Sequence, residues 1–307
     1  MKSSIEGKTY LFLLLSTTAW GFQPLTIKWL VAEWSPLAIT VYRFILIGVI
    51  LVAWTWHREG RRMLPDFKGL PLLCAMGLFN IGFSILQFTG LQYTTVTNCT
   101  VIGALSPALT AFLAAVFLHE RLSRLAWGGI FLSLIGTLTV ICHGSLADLV
   151  NLSFNPGDLL VFLAQLDWAA YTLTGGLVMK HLSRWAATSI VVLAGGIAGW
   201  FYGVFFANMH LTVLSSSALW CFGYTFLVGG LLAMLFWNMG VKGAGPSLAA
   251  IFMNLIPLVG AVSGVLFLGE QFGLVQLLGA LGICGGVGLT THSYEAADWI
   301  KRHYHLH

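Results

Sequence analysis

The chain has 307 residues, of which 58% are hydrophobic and only 8% are charged, and its formal net charge is +4 at pH 7. Soluble domains carry roughly 25% charged residues, so this composition excludes a water-soluble domain, and the modest charge gives no basis for nucleic-acid binding. The apolar residues form long continuous runs, not alternating ten-residue segments. This pattern predicts membrane-spanning helices, which satisfy their own backbone groups in lipid.

Ten such helices are predicted when about 20 residues are assigned to each span. In chain order they cover residues 9–31, 35–56, 69–92, 95–118, 124–142, 157–180, 184–207, 215–241, 245–268 and 272–291.

The lysines and arginines predict the orientation of these spans. With the N-terminus in the cytoplasm, 13 of the 15 basic residues fall at inner ends. The exceptions are Lys28, at the outer end of the first span, and Arg43, inside the second. The predicted fold is therefore an all-α integral membrane protein with both termini cytoplasmic.

An internal repeat divides the chain into two units, residues 1–146 and residues 147–307 with a short cytoplasmic tail. Adding 148 to positions in the first third, or 150 to positions between 91 and 136, often returns the same residue type. Examples are Trp20 with Trp168, Gly129 with Gly279, Gly136 with Gly286 and Glu120 with Glu270. Five spans per unit is an odd number, so the second unit must be inverted relative to the first, as in many secondary transporters.

Two charged residues lie well inside predicted spans, where charge is costly and marks function. Arg43 is about 12 Å and Asp167 about 15 Å from the outer ends of their helices at 1.5 Å per residue. We expect them to approach each other directly, through water or through a substrate, and Asp167 is also a candidate site of proton coupling. The alternatives are a structural ion pair or a snorkelling guanidinium for Arg43, and a carboxylate buried against a polar partner for Asp167.

Aromatic and amide side chains at similar depth predict a small-molecule pocket. Asn80, Ser84 and Gln87 share one face of the third span. The alternative for any single member of this group is helix packing or a hydrogen bond between helices. The candidate binding residues are Trp20, Gln23, Arg43, Asn80, Ser84, Gln87, Asp167, Trp168, Tyr171, Trp237, Asn238 and Asn254.

Pro107 and Pro257 are repeat equivalents in the middle of two predicted spans. Each removes a backbone hydrogen bond and frees a carbonyl about four residues earlier, near Gly103 and Met253. We expect them to act as hinges or as kinks that line the pocket.

No metal site, cofactor or catalytic motif is predicted. The five cysteines form no CxxC pair and fit small core residues. Zinc-protease, serine-hydrolase and phosphate-loop motifs are absent from the sequence.

The chain resembles the drug/metabolite transporter superfamily in its ten-helix branch, the EamA family. The matching residues are Ala19-Trp20-Gly21 with Lys28, Arg43 after Ser35-Pro36, Leu118-His119-Glu120-Arg121-Leu122, Trp168-Ala169 with Tyr171, and Leu268-Gly269-Glu270. The second unit differs from the first at one of these positions: Val191 occupies the position that corresponds to Arg43. Glu120 and Glu270 match the family pattern at helix ends, where we expect capping, with gating as the alternative.

The resemblance implies a carrier in the inner (plasma) membrane that exports small metabolites, with amino acids the best single class, by alternating access. It implies a cavity lined by spans 1, 3, 4, 6, 8 and 9. The expected partners are a small-molecule substrate and the lipid bilayer, with a monomer or homodimer as the assembly. Uptake or exchange of another metabolite, a channel, and an intramembrane enzyme remain as alternatives.

Overall fold

A computed structural model describes residues 7–65, 69–119, 122–142, 144–145, 154–209, 214–244, 252–253 and 255–304. Across these residues the regular structure is entirely helical. The helices are α1 Gly7–Leu30, α2 Pro36–Glu59, a 3₁₀ turn Gly60–Met63, α3 Leu70–Tyr93, α4 Val96–Gly103, α5 Ser106–Phe117, α6 Arg124–Ile141, α7 Pro156–Val178, α8 Arg184–Phe205, α9 Ser216–Gly223, a π-helical segment Tyr224–Leu232, α10 Ala233–Ala244, α11 Leu255–Leu268 and α12 Leu274–Tyr304.

Six helical stretches of the described chain are long and apolar enough to cross a membrane, which confirms a multi-pass membrane protein. They are Pro36–Met63, Leu70–Tyr93, Val96–Phe117, Arg124–Ile141, Arg184–Phe205 and Ser216–Gly243. Leu255–Leu268 and Leu274–Thr290 are shorter apolar helices. The count of ten crossings and the sides of the termini stay predictions.

Helices α1 and α7 have 24 and 23 residues but are not among these six stretches. Polar residues interrupt both of them, including Gln23 and Lys28 in α1 and Asp158, Gln165 and Asp167 in α7. Polar helices of this length fit a membrane protein only where their polar faces turn towards other helices.

Serine residues fix where several of the helices begin. The hydroxyls of Ser35, Ser123, Ser183 and Ser215 each accept a hydrogen bond from the backbone N–H three residues later. Each bond satisfies an amide that the first turn of a helix leaves without a partner.

Glycines bring α6 and α12 into backbone contact. A methyl group added to Gly129 would lie 2.5 Å from the Gly286 carbonyl oxygen, and one added to Gly136 would lie 2.7 Å from that of Gly279. The later residue on α6 contacts the earlier residue on α12, so the two helices are antiparallel. Their backbones pack at the closest approach that small residues allow.

A second antiparallel pair, α2 and α8, is built in the same way. A methyl group on Gly48 would lie 2.6 Å from the Leu193 Cα atom, and one on Gly196 would lie 2.9 Å from the Ile45 backbone nitrogen. Helix α3 packs against α7 and α1 against α10, again through glycines such as Gly90.

The main buried core joins elements from both halves of the sequence. It includes Leu30, Ile39, Leu91, Ile102 and Ile283, none of which is more than 1% exposed. Because α1 to α4 contribute alongside α7 and α12, the two halves share one core.

Candidate functional site

Helix α1 is fastened to the π-helical segment by side-chain hydrogen bonds. The Trp20 Nε1–H donates to the Gly229 carbonyl at 3.0 Å, and the Tyr224 hydroxyl donates to the Ala19 carbonyl at 3.0 Å. Thr26 and Thr225 share a hydroxyl–hydroxyl bond of 3.1 Å. π-Helical segments are often found at functional sites, and here α1 supplies a hydrogen-bond donor to one carbonyl of the segment.

Three of the predicted binding residues come together at this contact. The rings of Trp20 and Trp237 lie 5.5 Å apart, and the Gln23 side chain packs over Gly229, 3.2 Å from where a Cβ atom would stand. We call Trp20, Gln23 and Trp237 the α1 cluster. It offers two aromatic faces and one amide, which is a common lining for a small-molecule site.

Replacing Trp20 with phenylalanine should destabilise the protein by about 1 kcal/mol, the usual net value of one neutral hydrogen bond. The change keeps an aromatic ring but leaves the Gly229 carbonyl without its donor. Thermal unfolding in detergent measures the effect, with Trp200→Phe as the control because Trp200 is 37% exposed on α8. Equal melting temperatures for the two variants would show that the bond contributes nothing.

A second group of predicted residues meets where α7 packs on α3. The Trp168 ring lies 4.9 Å from the Phe83 ring and 5.2 Å from the Tyr171 ring. The Asp167 carboxylate contacts the backbone at Gly82, where a side chain would displace it. We call Asp167, Trp168 and Tyr171 the α7 cluster. Trp20 and Trp168, which are equivalent in the predicted repeat, belong to one cluster each.

The polar face predicted on α3 is buried. Asn80 is 8% and Ser84 2% exposed, and the Gln87 Oε1 atom is buried without a hydrogen-bond partner. On α2 the Nε of Arg43 is likewise buried without a partner, and its guanidinium lies 5.7 Å from the centre of the Phe88 ring. A cation over an aromatic face is stabilised by the ring, but its donor capacity remains unused.

Arg43 and Asp167 are both described, and no ion pair joins them in the structure. The Arg43 side chain lies beside Phe88 and the Asp167 carboxylate beside Gly82, six residues apart on α3. Six helical residues span about 9 Å. The direct contact that we considered from the sequence is therefore absent between these residues, and an approach through an intervening molecule stays a prediction.

Pro107 lies at the second position of α5, directly after a break that separates α4 from α5. The Ser106 hydroxyl donates to the Gly103 carbonyl at 2.8 Å, so the carbonyl expected to be free has a partner. The same Ser106 hydroxyl lies 2.5 Å from Gln165 Oε1 on α7. Pro257 is buried near the start of α11, and the hinge role of both prolines stays a prediction.

Asn238 is not brought to either cluster. The Asn238 Oδ1 accepts a hydrogen bond from Arg184 at 3.0 Å, and its Nδ2 donates to the Met234 carbonyl at 2.7 Å. Its amide is therefore occupied by the first residue of α8. Asn254 lies outside the described residues.

A cavity of about 410 Å³ lies between the end of α1 and the start of α9, and no member of either cluster lines it. Its lining is Trp29, Glu33, Ser217, Ala218 and Cys221. The Glu33 carboxylate accepts hydrogen bonds from the backbone N–H and the hydroxyl of Ser215, at 2.9 and 2.5 Å. These bonds lower the pKa of Glu33 below its ordinary value, so the carboxylate stays ionised at neutral pH.

Tyr224, Phe83 and the π-helical segment were not singled out from the sequence. The pair Gly229-Gly230 in the middle of a predicted span could have indicated the irregular segment, because glycine tolerates irregular helix geometry. No group of three or more potential metal ligands occurs among the described residues.

Proteins similar to this chain are named as transporters. The profile of the EamA-like transporter family matches residues 7–142 and again residues 155–292. The chain is 29% identical to the uncharacterized transporter YyaM of Bacillus subtilis, over 85% of this chain and 86% of that one. It is 26% identical to the uncharacterized inner membrane transporter YedA of Escherichia coli K12, over 86% of this chain and 84% of that one.

An archaeal relative from Archaeoglobus fulgidus, also named an uncharacterized transporter, is 25% identical over 94% of this chain and 98% of its own length. A solved crystal structure aligns with a TM-score of 0.63 over 92% of this chain and 96% of that one, at 16% identity, which shows a shared fold. The matched family profile spans nearly the whole described chain and confirms the resemblance found in the sequence motifs. The chain belongs to the EamA-like transporter family.

Proposed function

We propose that this protein is a secondary carrier that exports small polar metabolites, with amino acids as the substrate class, by alternating access. It acts in the inner (plasma) membrane, as a monomer or a homodimer, and is not an enzyme. The α1 and α7 clusters line the substrate path.

The observation that carries this proposal is a set of polar atoms that the helices leave unused. Arg43 Nε and Gln87 Oε1 are buried without partners, and the Asp167 carboxylate has no hydrogen bond or ion pair within the described chain. Burying the Arg43 and Gln87 atoms costs free energy unless something binds them, and a charged carboxylate within a membrane span is costly as well. A substrate that binds these groups would offset that cost.

The chemistry of the set fits a zwitterion. A substrate carboxylate would bind the Arg43 guanidinium, which has a geometry suited to carboxylates, and a substrate ammonium would bind Asp167. The separation of about 9 Å along α3 between the two positions leaves room for a molecule between the two charges, and the Trp20 and Trp168 rings would cover its apolar part.

The helix contacts support two inverted repeats of five spans, with domains 1–146 and 147–307. Gly129 contacts Gly286 and Gly136 contacts Gly279, and adding 150 to Gly129 and Gly136 gives Gly279 and Gly286. The two contacts therefore exchange under the repeat, as a two-fold axis between the halves requires.

The pair α2 and α8 behaves in the same way. With the offset of 148, Gly48 becomes Gly196 and Ile45 becomes Leu193, and the contacts observed are Gly48 with Leu193 and Gly196 with Ile45. With both termini cytoplasmic, ten spans place this axis in the membrane plane, which is the arrangement on which rocking carriers are built.

The proposal is tested by reconstituting the protein in liposomes loaded with a labelled mixture of amino acids. Export by this protein predicts selective efflux that saturates with internal concentration and is absent from empty liposomes. Trp168→Ala should slow this efflux roughly tenfold or more, while Trp200→Ala, on an exposed position of α8, should not. No efflux of any amino acid from folded protein would contradict the proposed substrate class.

A further inference from the structure

A polar network closes the predicted outer end of the molecule, around the turn between α3 and α4. Its charged members are Lys28 from α1, Asp158 from α7 and Glu270 from the loop that precedes α12. We call these three residues the outer latch. None of them belongs to the α1 or α7 cluster.

Glu270 caps α4, as the sequence led us to expect of a glutamate at a helix end. Its two carboxylate oxygens accept hydrogen bonds from the backbone N–H groups of Val96 and Thr97, at 2.7 and 2.8 Å. These are the first two amides of α4, which have no partner within the helix, and the helix dipole favours an anion there. The cap is thus a charge-assisted contact between distant parts of the chain.

Asp158 and Lys28 hold the same turn from two other sides. Asp158 is fully buried, and its carboxylate accepts hydrogen bonds from the Thr94 hydroxyl and from the Asn98 amide, the latter at 3.2 and 3.3 Å. The Lys28 ammonium donates to the carbonyls of Leu91 and Thr94, at 2.6 and 2.7 Å. A cation at these last carbonyls of α3 is also favoured by the helix dipole.

The latch joins the two repeats. The turn and Lys28 belong to the first repeat, while Asp158 and Glu270 belong to the second. An outward-open pathway requires the outer ends of the repeats to separate, and that separation would expose two carboxylates and leave two helix-start amides without partners. The latch contacts between the two repeats are therefore formed in this structure.

The inner end does not have the same residues, although the repeat assigns each latch position a counterpart there. Glu270 corresponds to Glu120, which is the same residue type. The other positions carry different residues: Lys28 corresponds to Gly176, Thr94 to Ala244, Asn98 to Leu248, Asp158 to Tyr10 and Val96 to Pro246, so neither Lys28 nor Asp158 has a charged counterpart. Proline has no N–H to donate, so the position that corresponds to Val96 lacks the backbone donor that Val96 supplies to Glu270.

We infer that the outer latch holds the substrate-free carrier closed towards the outside, and that breaking the Glu270 and Asp158 contacts is the step that opens the outward path. This inference rests on the proposed transport function and on the predicted orientation. The inner end, with one glutamate in place of the full set, opens more readily. Without substrate, an exporter with this asymmetry is closed to the outside and opens to the cytoplasm, where it binds substrate.

Cys99 gives a native reporter of the latch because it follows Asn98 in α4 and is 1% exposed. The test uses the full chain with Cys74, Cys142, Cys221 and Cys284 changed to alanine. A charged, membrane-impermeant thiol reagent is added to the outside of right-side-out vesicles without substrate. Glu270→Gln should raise the rate of Cys99 modification at least tenfold, and Glu120→Gln, the same chemical change at the repeat counterpart, should leave Cys99 protected.

Thr94→Ala is the second variant, because it removes the hydroxyl that binds Asp158 while keeping the carbonyl that binds Lys28. It introduces the residue that the inner end already has, and it should also raise the modification rate. The inference is overturned if both latch variants leave Cys99 as protected as in the parent, if Glu120→Gln exposes it equally, or if the reagent reaches it only from the inside. Because labelling needs no substrate, efflux without latch-dependent labelling would overturn the latch alone, and labelling without efflux would overturn export alone.

Discussion

Changing Asp167 to asparagine should reduce saturable transport by roughly thirtyfold or more while leaving the protein folded. Loss of one partner of a buried charge contact costs about 2 kcal/mol or more, and 1.4 kcal/mol corresponds to a factor of ten. Asp167 has no internal partner among the described residues, so the substitution removes no structural bond. Initial efflux rates from liposomes with matched protein content measure the effect.

The matched control is Glu59→Gln, the same chemical change at the end of α2. The Glu59 carboxylate accepts a hydrogen bond from the Ser183 hydroxyl at the predicted inner end and contacts neither cluster. Its transport rate should stay within about twofold of the parent protein. Wild-type rates in Asp167→Asn would remove Asp167 from the substrate site, and rates that no longer respond to an imposed proton gradient would assign it to coupling.

Changing Gly129 to leucine should prevent stable folding. A Cβ atom at this position would stand 2.5 Å from the Gly286 carbonyl oxygen and 2.8 Å from the Thr290 backbone nitrogen. Both contacts are backbone atoms of α12, which cannot move without separating the two helices. Overpacking a core commonly costs about 1–3 kcal/mol of stability. Inserting a four-carbon side chain between two helix backbones in contact should cost more than this. The measurement is the yield of monodisperse protein and its melting temperature in detergent.

The neighbouring glycine is the control. Gly128 is exposed and a Cβ atom there meets nothing within 4 Å. Its repeat counterpart, Leu278, is already a leucine and is 54% exposed. Gly128→Leu should therefore fold normally, and equal damage from both substitutions would show that the close approach of α6 and α12 is not what stabilises this region.

The sequence predicted the helical membrane fold because hydrophobicity and glycine spacing are properties of the chain itself. The break at Pro107 also follows from local chemistry, since proline cannot continue the hydrogen-bond pattern of the helix. The grouping of Trp168 with Tyr171 was predictable from three-residue spacing on one helix.

Contacts between distant helices could not be predicted in this way. Asn238 looks like a pocket residue by depth, but its amide binds Arg184 through packing that no local pattern reveals. Lys28 fell outside the basic-residue pattern, and the structure gives the reason: its ammonium binds two carbonyls at the end of α3. The π-helical segment has the same hydrophobic composition as an α-helix, so composition alone does not distinguish the two.

Counterflow is the measurement that tests the carrier mechanism most directly. Liposomes containing the protein are loaded with an unlabelled amino acid that the efflux assay has identified, and a trace of the labelled form is added outside. Alternating access predicts that label accumulates transiently inside above its equilibrium level. Each carrier that takes unlabelled substrate out returns with labelled substrate, while the unlabelled internal pool competes with the label for exit. Entry that only approaches equilibrium, at a rate independent of the internal unlabelled pool, would contradict the carrier account and indicate a channel.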